Sequence, residues 1–187
     1  LLDIGAGTGA FLNLFKNKNK FGVEPQKYNC NLMKKKKIKN HQGTTENLFL
    51  NRKFDIISFV WVLSVTYDPI EAIKDSLRFA KKNCYIVIAD SSRILVHPRK
   101  PIETWMGKKK DAYLAPYSFS VNQYKSLLMI CGFEVVFVNN YFDTDYVVLI
   151  AKRTNKIFNK YPADNYKKIL SFFKLWKKMD QKLKTMV

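Results

Sequence analysis

Leu1–Phe11 reads LLDIGAGTGAF. An apolar strand, Leu1–Ile4, runs through an aspartate into three glycines at alternate positions, Gly5, Gly7 and Gly9, and then into the apolar start of a helix. Glycine is required where a turn adopts backbone angles closed to other residues, and where a ligand approaches the main chain with no Cβ in the way. A strand that ends like this and feeds a helix brings bare backbone N–H groups and a helix N-terminus to one point. At the carboxyl end of a first strand, such a loop marks a nucleotide-binding site in an open α/β sheet.

The glycine spacing leaves two ligands open. Gly5-x-Gly7-x-x-Ala10 satisfies the dinucleotide fingerprint and Gly5-x-Gly7-x-Gly9 the S-adenosylmethionine one, and a glycine pattern alone discriminates poorly. The next acidic residue after a second apolar run is Glu24, in FGVEP, 19 residues past Gly5. A carboxylate there, at the end of strand two, can accept both ribose hydroxyls of either cofactor. It can also cap the helix that follows.

The bulk numbers narrow the class. A chain of 187 residues suits one domain with a full core, and 47% hydrophobic content excludes disorder. No stretch approaches the roughly 18 uninterrupted apolar residues that span a bilayer. The chain opens inside a strand and without Met, so a segment ahead of Leu1 is expected. Three cysteines, Cys30, Cys84 and Cys131, are odd in number and show no C-x-x-C spacing. They read as buried thiols of a reducing, cytoplasmic compartment, not as a disulfide framework or zinc ligands. With two histidines, His41 and His97, no histidine-based metal site is expected.

The formal charge of +18 admits nucleic acid or an anionic membrane as a partner. Yet of 33 basic residues 28 are Lys and 5 are Arg, and Arg is the better phosphate reader. Asn, Ile, Phe and Tyr are also abundant, so a lysine-favouring coding bias accounts for most of the charge. Lys34–Lys37 and Lys108–Lys110 read as solvated surface.

Apolar runs alternate with helical patterns over the first 90 residues. Leu1–Ile4, Phe21–Val23, a weak Ile38–Gln42, Phe54–Val60 and Cys84–Ala89 read as strands. Ala10–Lys16, Gln26–Lys37 and Pro69–Ala80 read as helices. Alternation of this kind implies crossover units and a parallel sheet. Asp90–Tyr117, with Pro98, Pro101, Gly107 and Pro116, reads as an inserted loop region. Ser120 caps a helix through Met129. Phe133–Tyr141 and Tyr146–Lys152 then form two strands too close in sequence for a parallel crossover, so they pair antiparallel.

These motifs, in this order, resemble the class I S-adenosylmethionine-dependent methyltransferases, and more narrowly the small-molecule branch related to quinone and natural-product methyltransferases. The resemblance covers roughly Leu1–Arg153. LLDIGAGTG is similar to the first motif hhDhGxGxG, and VEP to the acidic second strand. GTTENL (Gly43–Leu48) before FDII is similar to the adenine-side loop and fourth strand. VLSVTYDP (Val62–Pro69) is similar to vLEHvpDP, and CGFEVV (Cys131–Val136) to the opening of the terminal hairpin.

The resemblance implies a Rossmann-like, seven-stranded, mostly parallel sheet ending in an antiparallel hairpin, with helices on both faces. It implies S-adenosylmethionine as cofactor, with contacts at Asp3, Gly5, Ala6, Gly7, Gly9, Glu24, Thr45, Glu46, Val60 and Trp61, and a small-molecule acceptor methylated on O, C or N. Asp3, buried in a strand, needs partners, which loop amides and the ligand's ammonium can supply. Trp61 stands over the cofactor or belongs to the core.

Two departures stand out. Ser64-Val65 replaces the common Glu-His pair, and Thr44 or Thr45 replaces the aspartate of the adenine loop. The first leaves the proton acceptor to another group: His97, in the irregular segment beyond strand five, is the candidate base, with Asp90, Tyr113 and Tyr117 also considered. A nucleic-acid methyltransferase is the rival reading, carried by the charge and weakened by the lack of an Asn-Pro-Pro-Tyr-type motif. A non-catalytic member of the fold is the third, carried by Ser64-Val65.

Beyond the domain 1–153 lies a basic tail, 154–187. In Asp164–Lys184, Tyr166, Ile169, Leu170, Phe173, Trp176, Met179 and Leu183 recur at helical spacing opposite a lysine-rich face. The expectation is one amphipathic helix packed on its own domain. Peripheral membrane contact is the alternative, as is a contact with a segment ahead of Leu1.

Overall fold

The structure is a computed structural model that describes residues 1–16, 19–91, 117–140 and 146–185. Seven strands form one sheet: β1 (Leu2–Ile4), β2 (Phe21–Glu24), β3 (Lys39–Gln42), β4 (Phe54–Val60), β5 (Ala80–Asp90), β6 (Phe133–Val138) and β7 (Val147–Arg153). Their order is β3-β2-β1-β4-β5-β7-β6. The first five run parallel, while β7 pairs antiparallel with both β5 and β6. This is the expected Rossmann-like sheet with its antiparallel ending. The strand order reverses between β1 and β4, and in an open α/β sheet a ligand crevice forms at the carboxyl ends of the strands flanking that point.

Sequence explains the layers. Every residue of β1 and β2 is buried, as strands covered on both faces should be, whereas β3 (KNHQ) is the polar edge. The helices are α1 (Ala10–Asn13), α2 (Lys27–Lys35), α3 (Pro69–Ser76), α4 (Val121–Ile130) and α5 (Tyr166–Thr185). Asp68 caps α3, its carboxylate accepting from Ile70 N at 2.9 Å and Glu71 N at 3.0 Å, with Pro69 at the first helical position. Ser120 and Gln123 cap α4 reciprocally. One core joins the sheet to α3 and α4. A smaller cluster of Ala6, Leu12, Cys30, Met33 and Ile38 packs α1 and α2 under the glycine loop.

Several boundaries differ from expectation, four of them by three residues or more. The first helix stops at Asn13, and Leu14 beyond it is 78% exposed, so no core surface holds that turn. The third helix ends at Ser76. After a 3-10 turn at Leu77–Phe79, Ala80 already pairs with Phe54, so β5 begins four residues before Cys84, through a register irregularity. β6 ends at Val138, short of Tyr141.

After β7 the chain returns along α4. Ser126 Oγ donates to Pro162 O (2.6 Å), Asn122 Nδ2 donates to Asp164 Oδ1 (2.8 Å), and Ser120 Oγ donates to the other Asp164 oxygen. In α5 the covered stripe is Ile169, Phe172, Phe173, Trp176 and Asp180, with Trp176 1% exposed. Tyr166, Leu170 and Met179, expected on that stripe, are exposed instead, Tyr166 at 66%. The α5 lysines with described side chains face solvent.

Candidate functional site

A cleft of about 530 Å³ opens where β1 and β4 diverge. It is walled by the end of β2, the Gly43–Glu46 loop, and the stretch from Trp61 into α3. Five carboxylates line it, those of Glu24, Glu46, Asp68, Glu71 and Asp75, with no Lys or Arg among the described lining residues. In a chain with 33 basic and 15 acidic residues, lysine-rich composition does not produce this. Lys74, next to the lining, pairs with Glu71 at 2.8 Å, while the other four carboxylates form no ion pair among the described residues, so the charge is locally inverted.

Glu24, 5% exposed at the end of β2, is the best-anchored of the five. Its Oε2 accepts from Gly7 N at 2.9 Å, while Oε1 accepts from Gln26 N (3.0 Å) and Asn29 Nδ2 (3.2 Å). The carboxylate steadies the start of α2, as the capping alternative expected, and it also lines the cleft. A carboxylate has about four acceptor positions, and three are used. Asn29 Nδ2 also reaches Gln26 Oε1 at 3.2 Å, so it can release Glu24 without losing its bond.

The glycine loop differs from the expected amide cradle. Gly7 N is taken by Glu24, Ala6 N by Val23 O (2.9 Å) and Gly9 N by Ala6 O (2.8 Å). Those three donors are spent inside the protein. Gly7 has φ +53° and nothing within 4 Å of where a Cβ would stand, so its bare face is open to a ligand. Gly9 serves packing instead: a Cβ there would stand 2.7 Å from Met33 Cγ. Gly5 is closed over by Val62, whose Cγ2 occupies the place a Cβ would need.

The structure thus brings Gly5, Glu24, Thr45, Glu46 and Trp61 to the cleft, with Gly7 tied to it through Glu24. Asp3, Ala6, Gly9 and Val60 are not among its lining residues. Asp3 is 1% exposed in mid-strand, and among the described residues its side chain is met not by a loop amide but by Ser58 on β4, whose Oγ donates to Oδ1 at 2.7 Å. Burial pushes the Asp3 carboxyl from the ordinary 3.8 up to about 7, with the Ser58 bond opposing. Trp61 is 51% exposed, so it is not core. It takes a left-handed φ of +58°, donates its N–H to Ala89 O (2.7 Å), and meets Tyr146 edge-to-face at 6.3 Å. A bulky residue at positive φ is strained, and such strain concentrates at functional positions.

His97 and Tyr113 lie outside the described residues. Asp90, the acidic residue among the candidates for a base, is fully buried with both oxygens engaged. Tyr117 donates its hydroxyl to Tyr67 O at 2.8 Å. Asp68, Glu71 and Asp75 of the cleft wall escaped the sequence reading, as did Ser58 and Arg78, which brace it. Ser58 sits inside the apolar run FDIISFV, where a lone hydroxyl was the available signal. Arg78 donates through Nη2 to the carbonyls of Thr45 and Glu46 and so fastens the Gly43–Glu46 loop. Its signal was rarity, as one of 5 Arg among 33 basic residues.

A crevice at the strand-order switch, a glycine loop beneath it and a buried acidic residue ending β2 define a nucleoside-binding α/β protein. A family model described as a methyltransferase domain matches residues 1–138. The chain belongs to that family and is a methyltransferase. Among solved structures it is similar to a SAM-dependent methyltransferase of Thermotoga maritima, described as a possible histamine N-methyltransferase. The two share 26% identity at a TM-score of 0.66, over 82% of this chain and 81% of that one. A SAM-dependent methyltransferase of Methanosarcina mazei shares the fold at 18% identity and TM-score 0.63, over 83% of this chain and 92% of the other. The plantazolicin methyltransferase in complex with SAH shares it at 16% identity and TM-score 0.59, over 81% and 75%. No curated protein matches the sequence. Among the described residues, no helix is long and apolar enough to cross a membrane.

Proposed function

We propose that the protein transfers a methyl group from S-adenosylmethionine, the donor of this methyltransferase class, to a small-molecule acceptor, and that the acidic cleft holds the donor. The observation that carries this reading is the charge of the cleft. S-adenosylmethionine is a nucleoside without phosphate that bears a sulfonium and an ammonium. Five carboxylates with no lining cation suit it and oppose a dinucleotide's pyrophosphate. The spent amides of the glycine loop argue the same way, since a pyrophosphate needs free N–H donors.

Within this reading Glu24 accepts the ribose hydroxyls once Asn29 turns to Gln26. Gly7 gives the ligand room against the main chain. Thr45 and Glu46, held by Arg78, flank the base, and Trp61 covers the mouth. Asp3 supports β1 from behind. The bound cofactor supplies an electrophilic methyl; the protein aligns the acceptor with it and manages one proton, for which His97 remains the proposed base.

A small acceptor is favoured over nucleic acid because a polyanion entering the cleft meets like charge. A small amine of the kind named for the Thermotoga maritima protein is compatible with the same acidic walls. The rival reading rests on the net charge of +18. Calorimetry tests the cofactor, with S-adenosylmethionine expected to bind and NAD not. A labelled-methyl assay on metabolite extract against total RNA tests the acceptor; label in RNA alone overturns the small-molecule reading.

A further inference from the structure

Asp90 ends β5 fully buried. Its Oδ1 accepts from Ser64 Oγ (3.0 Å) and Ser91 N (2.8 Å), and its Oδ2 accepts from Ser64 N (3.1 Å). Among the described residues no Lys or Arg forms an ion pair with it. The Tyr124 hydroxyl, also buried, faces this carboxylate without closing a well-formed hydrogen bond. Burial first, and then Asp90, push the phenol's pKa up, so it stays neutral. A buried carboxylate without a counter-charge depends on its hydrogen bonds. Two of the three come from Ser64, 7% exposed in the 3-10 turn Leu63–Val65.

That turn joins the two stretches of the cleft wall. On its N-terminal side, Val62 packs onto Gly5 and Trp61 stands at the mouth. On its C-terminal side, Val65 through Asp68 line the cleft. The same stretch is fastened a second time from Tyr117, whose N–H donates to Ser64 O (3.2 Å) and whose hydroxyl donates to Tyr67 O (2.8 Å). Asp90 is too enclosed to take a proton from an acceptor, so its charge has another use.

We propose that Asp90 and Ser64 are positioning residues. Their buried bonds hold the Trp61–Asp68 wall in its cofactor-binding arrangement, with Tyr117 as the outer fastening. The proposal rests on the cleft being the cofactor site.

The test is Ser64→Ala, with Ser64→Thr as the variant that restores a hydroxyl. S-adenosylmethionine affinity is read by calorimetry. Trp61 exposure is read by acrylamide quenching without cofactor, as the difference between each protein and its Trp61→Phe counterpart. Ser64→Ala is expected to fold, to weaken binding about tenfold, as loss of one bond to a buried charge implies, and to raise Trp61 quenching. Ser64→Thr is expected to return both towards wild type. Unchanged affinity and unchanged quenching, with only a lower melting temperature, overturns the proposal. If Ser64→Ala does not fold, Tyr117→Phe decides: raised Trp61 quenching supports the proposal and unchanged quenching overturns it. If wild type binds no S-adenosylmethionine, the cofactor reading fails by itself, and the quenching arm still judges the fastening.

Discussion

Asp3 gives the protein a pH dependence that can be worked out in advance. In the unfolded chain its carboxyl titrates near 3.8; in the fold, burial between β1 and β4 raises it to about 7. Below pH 4 both states hold the proton and Asp3 exacts no penalty. As pH rises, the unfolded chain releases its proton first, so stability falls until the folded carboxyl ionises near 7, and then levels off. At about 1.36 kcal/mol per pKa unit, the rise amounts to about 4 kcal/mol lost between pH 4 and 7. Asp3→Asn keeps an oxygen for the Ser58 hydroxyl and has no charge to lose. Its unfolding free energy, from urea melts at pH 4 to 8, should gain on wild type progressively, and by pH 8 the variant should be more stable by a few kcal/mol. Curves that stay parallel over this range would refute the reasoning, and Asp3 would then be ionised in the fold with a partner not yet recognised.

The remaining expectations concern the cleft, the tail and the thiols. Gly7→Val should cost roughly 1–2 kcal/mol of stability through its positive φ and should abolish S-adenosylmethionine binding measured by calorimetry; retained binding would move the ligand away from the loop. Glu24→Gln should weaken that binding by about 1.5–3 kcal/mol, and wild-type affinity would remove Glu24 from the site. Truncation after Arg153 strips the α5 aromatic stripe and the bonds from Pro162 and Asp164 to α4. A loss of about 3–5 kcal/mol lowers the melting temperature by roughly 10 °C. Unchanged melting with lost binding to anionic liposomes would instead assign α5 to a membrane surface. Burial lifts Cys84 and Cys131 to about 11, so at pH 8 roughly one thiol in a thousand is ionised, and a thiol reagent should label neither until the protein unfolds.

Element type and order were legible because they follow from local pattern. Parallel strands announce themselves as nearly continuous apolar runs such as FDIISFV, and the antiparallel ending follows from the short interval between β6 and β7. The start of α4 was legible because one side chain, Ser120, does the capping. Ends were less so. Nothing within Pro69–Ala80 signals that Ala80 leaves its helix to pair with Phe54, since that choice depends on a partner 26 residues away. Glu24 could be placed at the site from strand spacing alone. The use of Asp3 could not, because its Ser58 partner is set by the register of β1 on β4, with Asp3 opposite Ser58. The acid-lined cleft was invisible for the same reason. Its five carboxylates come from the end of β2, one loop and α3, and only the fold sums them.

The left-handed backbone of Trp61 leaves a trace that sequence drift should reveal. Asparagine or glycine at this position relaxes the main chain but removes the ring at the mouth of the cleft. Tyrosine and phenylalanine keep a ring and inherit the strain, and valine or isoleucine does badly on both counts. Stability and use of the cleft therefore pull this position in opposite directions. In a library selected only for folding, Trp61 should be among the first residues replaced. In a lineage that still needs the cleft, it should persist against that pull.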